Sequence, residues 1–247
     1  MPTPSAVPDD FRPLPLPRIA LWLIVVALAI VLIALASLTA HQRTTGVLSQ
    51  NLHTVFWYFD VGREYNLATW YGSGLWLLLG VVAAVIAVSR PALRASWWLL
   101  AVVALVASID EYLEIHERLD VPGNWIAERL PFDVGFTWVL IGAPIALVVV
   151  LLLARVVLSL PARARNGIVL GGALFVAGAI GVEFVNGRVL ESAGWVVNNT
   201  YLYGTMVEEL LEMSGIAIAL ASLLSLFQRS AGSGMLRLDP ALRTRTR

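Results

Sequence analysis

The sequence predicts an all-α polytopic membrane protein, a six-helix transmembrane bundle with both termini in the cytoplasm. Hydrophobic residues make up 58% of the 247 residues and charged residues only 14%, whereas a soluble fold of this length needs more polar surface. Apolar runs of about 20 residues, the length that crosses a bilayer, occur six times. Arginines gather in alternate connections between these runs, which is typical of a membrane protein with a fixed orientation.

The six predicted spans cover residues 19–40, 67–89, 95–117, 134–158, 167–187 and 203–227. The first has an uncharged run longer than the apolar region of a signal peptide, so we expect a retained anchor. The segment 34–36, Ala-Leu-Ala, resembles a cleavage site and leaves its removal open. The fifth span has small residues near four-residue spacing, which predict close helix contact and a central position in the bundle. These residues are Gly172, Ala173, Ala177 and Gly181.

The positive-inside rule gives the orientation. Twelve of the 17 arginines lie on the side that carries both tails, and the rule assigns that side to the cytoplasm. The two longest loops, 41–66 and 118–133, lie on the opposite side together with most of the acidic residues. We expect one membrane domain over 19–228, a disordered Pro-rich tail over 1–18 and a disordered basic tail over 229–247.

The composition excludes several kinds of chemistry. Cysteine is absent, which excludes disulfides, thiolate zinc sites and thiol catalysis. Lysine is also absent, which excludes a Schiff base and a P-loop lysine. No motif typical of nucleotide or nucleic-acid binding occurs, so nucleic acid is not an expected partner.

Eight acidic residues lie inside the predicted spans, where ionisable groups are costly and are retained mostly for function. Asp110, Glu183 and Glu212 each lie about 24–27 Å from the cytoplasmic arginine of their own helix, at 1.5 Å per residue. They therefore form one predicted layer in the outer third of the bilayer. The other five are Glu111, Glu114, Glu117, Glu208 and Glu209.

Helical spacing predicts the direction in which these side chains point. Asp110, Glu114 and Glu117 follow i, i+4, i+7 spacing and should form one stripe toward the bundle interior. On the last span, the three glutamates fall within one arc. His116 should point away from the Asp110 stripe. Three accessory residues are predicted near the outer end of the bundle, close to these acidic residues: Glu64, Asn186 and His53.

So many neighbouring carboxylates need protons, a metal ion or a buried arginine to neutralise them. The predicted site is formed by Asp110, Glu111, Glu114, His116, Glu183, Glu208, Glu209 and Glu212. Carboxylates suit a divalent metal ion, and His116 widens the choice of metal. We expect a metalloprotein, for which an enzyme acting on a lipid-like or quinone-like substrate is one form. The alternatives are a proton- or divalent-cation-coupled transporter or sensor, and an accessory subunit that binds a membrane partner protein.

Three motifs resemble an uncharacterised family of bacterial multi-span membrane proteins, and the resemblance extends over spans two to six. They are Glu64-Tyr-Asn-Leu-Ala-Thr-Trp-Tyr, the S-x-D-E-x-x-x-I-H-E segment 108–117 and the E-E-x-x-E-M-x-G segment 208–215. This resemblance implies a shared intramembrane site in a bacterial cytoplasmic membrane, without indicating a reaction.

Overall fold

The computed structural model describes residues 10–89 and 91–243, and this part of the chain is mostly helical. Predictions that concern residues 1–9, 90 and 244–247 lie outside the described residues. Within these described residues, five helical segments are long and apolar enough to cross a membrane. They are α1 (Leu16–Arg43), α3 (Leu67–Val88), α4 (Arg94–Leu113), α6 (Val139–Ser159) and the continuous unit Ala162–Ser192. The last consists of α7 (Ala162–Val176), a π-helical segment (Ala177–Val182) and α8 (Glu183–Ser192).

The sixth predicted span corresponds to α9 (Asn199–Leu224), which has 26 residues and contains three glutamates. This helix contacts α1, α3, α7, α8 and the π-helical segment, so it occupies the centre of the helical assembly. The small residues of the fifth span predict a central position for that span, and the structure places α9 there instead. Glycine on both α7 and α9 explains how these two helices approach each other closely, but α9 has the larger number of neighbouring helices.

The close contact between α7 and α9 uses a different face of α7 from the predicted one. A Cβ atom on Gly171 would lie 2.5 Å from the Gly215 carbonyl oxygen, and a Cβ on Gly215 would lie 2.5 Å from the Gly171 carbonyl oxygen. A Cβ on Gly172 or Gly181 would have nothing within 4 Å. Ala173 and Ala177 are exposed. The contact face of this segment contains Gly171 and Gly178, so the face predicted from the four-residue spacing was wrong.

Both long loops contain helices. The loop 41–66 contains α2 (Gly46–Phe59), which packs against α1, and the loop 118–133 contains α5 (Asp120–Ala127). Buried Asn66 joins α2 to α3, because its side-chain oxygen accepts the Ala68 amide at 2.9 Å and its Nδ2 donates to the Asp60 carbonyl at 2.7 Å. This N-cap fixes the beginning of α3 at the pole where the acidic residues gather.

The described parts of the two tails pair with each other instead of being disordered. The strands β1 (Phe11–Pro13), β2 (Phe227–Ser230) and β3 (Leu236–Leu238) form an antiparallel sheet in the order β1-β2-β3. Arg12 lies opposite Arg229, and the Arg237 guanidinium stacks 3.6 Å from the centre of the Phe11 ring. This tail sheet places the start of α1 and the end of α9 at the same pole of the molecule.

Candidate functional site

The predicted stripe on α4 is interrupted because the helix ends before the stripe does. Helix α4 ends at Leu113, and Glu114 has a left-handed backbone (φ 50°) whose N–H donates to the Asp110 carbonyl. A 3₁₀ turn, His116–Leu119, follows. Glu114 and Glu117 therefore do not continue the Asp110 face, and Glu117 is exposed. The i, i+4, i+7 prediction failed because it assumed a continuous helix through this turn.

The Asp110 side chain closes the turn on His116. Its Oδ1 accepts the His116 backbone N–H at 2.7 Å, and its Oδ2 lies 3.0 Å from His116 Nδ1. The prediction that His116 points away from Asp110 was thus wrong, since the left-handed residue turns the chain back. Burial lowers the pKa of His116, but the hydrogen bond and charge of Asp110 outweigh burial and raise this pKa to about 9. His116 is therefore an imidazolium paired with Asp110 at neutral pH.

A buried tryptophan links this pair to the fifth predicted span. The Trp138 ring lies 4.7 Å from the His116 ring, measured between centroids, and Trp138 Nε1 donates to Glu183 Oε1 at 2.7 Å. Asp120 holds Trp138 in place, because its Oδ1 accepts the Trp138 backbone N–H at 2.7 Å. Sequence reasoning missed Trp138 and Asp120. A tryptophan at the start of a span is more often an interfacial anchor, so no sequence signal distinguished Trp138 from such an anchor.

The π-helical segment directly precedes Glu183 and packs tightly on α9. A Cβ on Gly178 would lie 2.8 Å from the Glu208 carbonyl oxygen and 2.8 Å from Glu212 Cγ. Three residues after Glu183, buried Asn186 donates through Nδ2 to Thr205 Oγ1 at 2.9 Å and to Glu208 Oε2 at 3.4 Å. Single π turns in α-helices are frequent at functional sites. Here the π turn contains the close contact at Gly178 and precedes the polar contacts of Asn186.

Three carboxyl groups form a second group, in which Glu111 alone has His116 among its main charged neighbours. Glu111 of α4 packs on Gly72 of α3, where a Cβ would lie 2.3 Å from Glu111 Oε1. Among charged groups, Glu111 acts most strongly on Glu209, and Glu209 followed by Glu111 acts most strongly on Glu212. We name Glu111, Glu209 and Glu212 the inner carboxyl group. Within residues 10–89 and 91–243, no side chain or amide donates a hydrogen bond to these carboxyls and no arginine forms an ion pair with them.

Glu64 extends this group toward the surface. It lies in the turn before α3, and its Oε2 is buried without a hydrogen-bond partner in the described structure. Burial, followed by the charges of Glu111 and Glu114, raises the pKa of Glu64 to about 7. An open crevice at the surface is lined by Tyr65, Leu113, Glu114, Glu117 and Arg118. Two of these residues, Glu114 and Glu117, are electrostatic neighbours of Glu64.

The arrangement does not favour a metal ion. Among the described residues, no group of three or more histidine, aspartate and glutamate side chains is placed to hold a metal. Asp110 and Glu183 already accept hydrogen bonds from His116 and Trp138. The accessory residue His53 packs against His41, with ring centroids 5.0 Å apart. Arg188, a possible counter-charge, pairs with Glu191 at 3.0 Å.

A family model described as Domain of unknown function (DUF8692) matches residues 19–226. The chain belongs to this family. The DUF8692 match includes every residue of the candidate site and all of α2–α9, but it leaves out the three strands of the tail sheet. No curated protein and no solved structure matches the chain. Family membership thus shows that the chain belongs to an uncharacterised family, and it indicates no activity.

Proposed function

We propose that this DUF8692 protein is a six-span protein of the bacterial cytoplasmic membrane that binds protons at its acidic pole and responds to pH on the outer side. In this proposal it is a proton sensor, with a proton-coupled transporter as the closest alternative. The observation that supports it is the inner carboxyl group, three glutamates on α4 and α9 that form no ion pair with an arginine among the described residues.

Electrostatics favours protons as the bound species. Two carboxylates about 4 Å apart repel each other by roughly 4 kcal/mol at an effective dielectric constant of 20, and each also loses hydration. Protonation removes both costs and turns each carboxyl into a hydrogen-bond donor that its neighbour accepts. A divalent cation would need several oxygen ligands directed at one point, and the described residues lack such a group.

The position of the site favours a sensor over a carrier. At the pole of the long loops, Glu64 has as electrostatic neighbours both Glu111 of the inner carboxyl group and the crevice residues Glu114 and Glu117. Neither α1 nor α6 contains an acidic residue, so these helices offer no carboxylate path toward the tail sheet. A transporter needs access from both sides, whereas a sensor needs access from one.

A melting series separates protons from metals. We expect the thermal stability of the purified protein in detergent to fall as pH rises, because the carboxyls gain charge, and not to respond to chelator. Glu209→Gln and Glu212→Gln should weaken this pH dependence, while exposed Glu128→Gln should leave it unchanged. Loss of stability with chelator, restored by one of Mg, Ca, Mn, Fe or Zn, would instead support the divalent-cation alternative.

The Asp110–His116 pair favours a second candidate, a membrane-embedded enzyme acting on a lipid-like or quinone-like substrate. A carboxylate bound to Nδ1 orients an imidazole and leaves Nε2 for proton transfer or for a metal. Metal analysis of the purified protein tests this candidate. A stoichiometric metal that is lost in His116→Gln would support the enzyme, and its absence in both proteins would favour the proton sensor.

A further inference from the structure

The tail sheet brings two arginines together outside the region that matches the family. Arg12 of β1 and Arg229 of β2 are direct cross-strand partners, and both are exposed. Like charges directly opposite in an antiparallel pair repel each other and destabilise the pairing. Asp10 balances one of them, because its Oδ2 lies 2.7 Å from Arg12 Nη2. Among the described residues no acidic side chain pairs with Arg229.

The Arg229 guanidinium lies beside the turn that connects β2 to β3. Its Nη2 would be 3.8 Å from a Cβ on Gly234, which has a left-handed backbone (φ +71°). The turn is closed by Ser230 N–H donating to the Met235 carbonyl at 2.9 Å and by Gly234 N–H donating to the Ser230 carbonyl at 3.1 Å. Arg12, Arg229 and the turn residues 230–234 line one open cavity. The cavity thus combines two guanidinium groups with a compact backbone turn.

The strands also fix where this cavity lies relative to the apolar helices. Helix α1 begins at Leu16, after two residues that follow β1, and α9 ends at Leu224, with two residues between it and β2. Arg163, in the first turn of α7, donates to the Leu14 carbonyl and holds this junction. If α1 spans the membrane, the cavity lies at the level of the lipid headgroups.

We propose that this cavity binds the phosphate group of an anionic lipid headgroup. Guanidinium groups match phosphate oxygens through two parallel hydrogen bonds, and a phosphate on Arg229 would supply the negative charge that Asp10 provides only for Arg12. Anionic lipids supply such phosphates at a membrane surface, where basic residues are attracted to them. This lipid site is independent of the proton site at the other pole.

The test measures how ligands raise the melting temperature of the full chain in a non-ionic detergent. Short-chain phosphatidylglycerol is the probe, and inorganic phosphate and short-chain phosphatidylcholine are the comparison ligands. Arg229→Gln should weaken phosphatidylglycerol binding about tenfold, the loss expected for a charge-assisted hydrogen-bonded pair. Arg229→Lys should bind with intermediate affinity, because lysine keeps the positive charge but lacks the planar guanidinium that donates two parallel hydrogen bonds. The control is Arg155→Gln, which removes one exposed charge from α6.

Each outcome decides the proposal. Loss in Arg229→Gln with retention in Arg155→Gln supports it, and Arg12→Gln provides a second variant if Arg229→Gln melts too low to titrate. Equal losses in Arg229→Gln and Arg155→Gln would show diffuse attraction by surface charge and overturn the proposal. Equal stabilisation by inorganic phosphate would assign the cavity to a free anion, and equal stabilisation by phosphatidylcholine would remove the requirement for an anionic headgroup.

Discussion

At the scale of single residues, Asp110 controls the charge state of His116. The pKa of His116 is raised to about 9 by Asp110 in spite of its burial. In Asp110→Asn the hydrogen-bonded charge is gone and burial remains, so this pKa should fall, although the charges of Glu183 and Glu117 still raise it. Histidine titration by NMR measures it, with exposed Asp133→Asn as the control. An unchanged His116 titration in Asp110→Asn would show that the pair does not form.

Glu64 gives a prediction about stability and pH. The folded state raises its pKa from 4.5 to about 7, so the folded protein binds this proton more tightly than the unfolded chain. The stabilisation is complete below about pH 4.5 and is lost as pH rises through about 7. Glu64→Gln should therefore melt about 2–4 °C higher than the native protein at pH 8 and no higher at pH 4.5. Identical melting of the two proteins at both pH values would refute this role of Glu64.

At the scale of secondary-structure elements, the contact between α7 and α9 can be tested with two neighbouring glycines. Gly171→Ala places a methyl group 2.5 Å from the Gly215 carbonyl oxygen, which cannot move away without shifting α9. Overpacking of this kind costs about 1–3 kcal/mol, so the melting temperature should fall. Gly172→Ala meets open space and should be neutral or stabilise the protein by about 0.4–1 kcal/mol. Equal effects of both changes on thermal melting would contradict the packing of these helices.

Hydropathy predicted the helices well because the helix period and the length of an apolar run are local properties of the chain. Span boundaries lie within a few residues of the predicted ones, for example 67–89 against Leu67–Val88. Side-chain direction was predicted less well. The left-handed Glu114 and the π-helical segment each change the register, and neither has a sequence signal as clear as an apolar run. The pairing of the two tails could not be predicted, since it joins residues more than 200 positions apart.

Part of the site could be predicted and part could not. The acidic residues of the site could be predicted because charged residues inside an apolar run are unusual. The sequence did not distinguish the inner carboxyl group from the residues near His116. Asp110 and Glu111 are neighbours in sequence, but Asp110 contacts His116 and Glu111 packs on Gly72. The contact of Trp138 with Glu183 depends on how α6 packs, which spacing within one helix does not reveal.

At the scale of the whole molecule, the tail sheet places both termini at one pole, and the proposed orientation puts that pole in the cytoplasm. Because the chain lacks cysteine, single cysteines report only their own position. Leu48→Cys, Asn124→Cys and Asn198→Cys should react with an impermeant thiol reagent added outside intact cells. Ala92→Cys, Pro161→Cys and Met235→Cys should react only after the cells are opened. The reverse pattern would place the acidic pole in the cytoplasm and contradict an external pH sensor.

The central claim is that the inner carboxyl group carries protons at neutral pH. Infrared difference spectroscopy tests it directly, because a protonated carboxyl has a carbonyl band that a carboxylate lacks. We expect the native protein to show this band at pH 7, and we expect Glu209→Gln and Glu212→Gln to reduce it while Glu128→Gln does not. A native spectrum at pH 7 without a protonated carboxyl band, or one that neither substitution changes, would contradict the account.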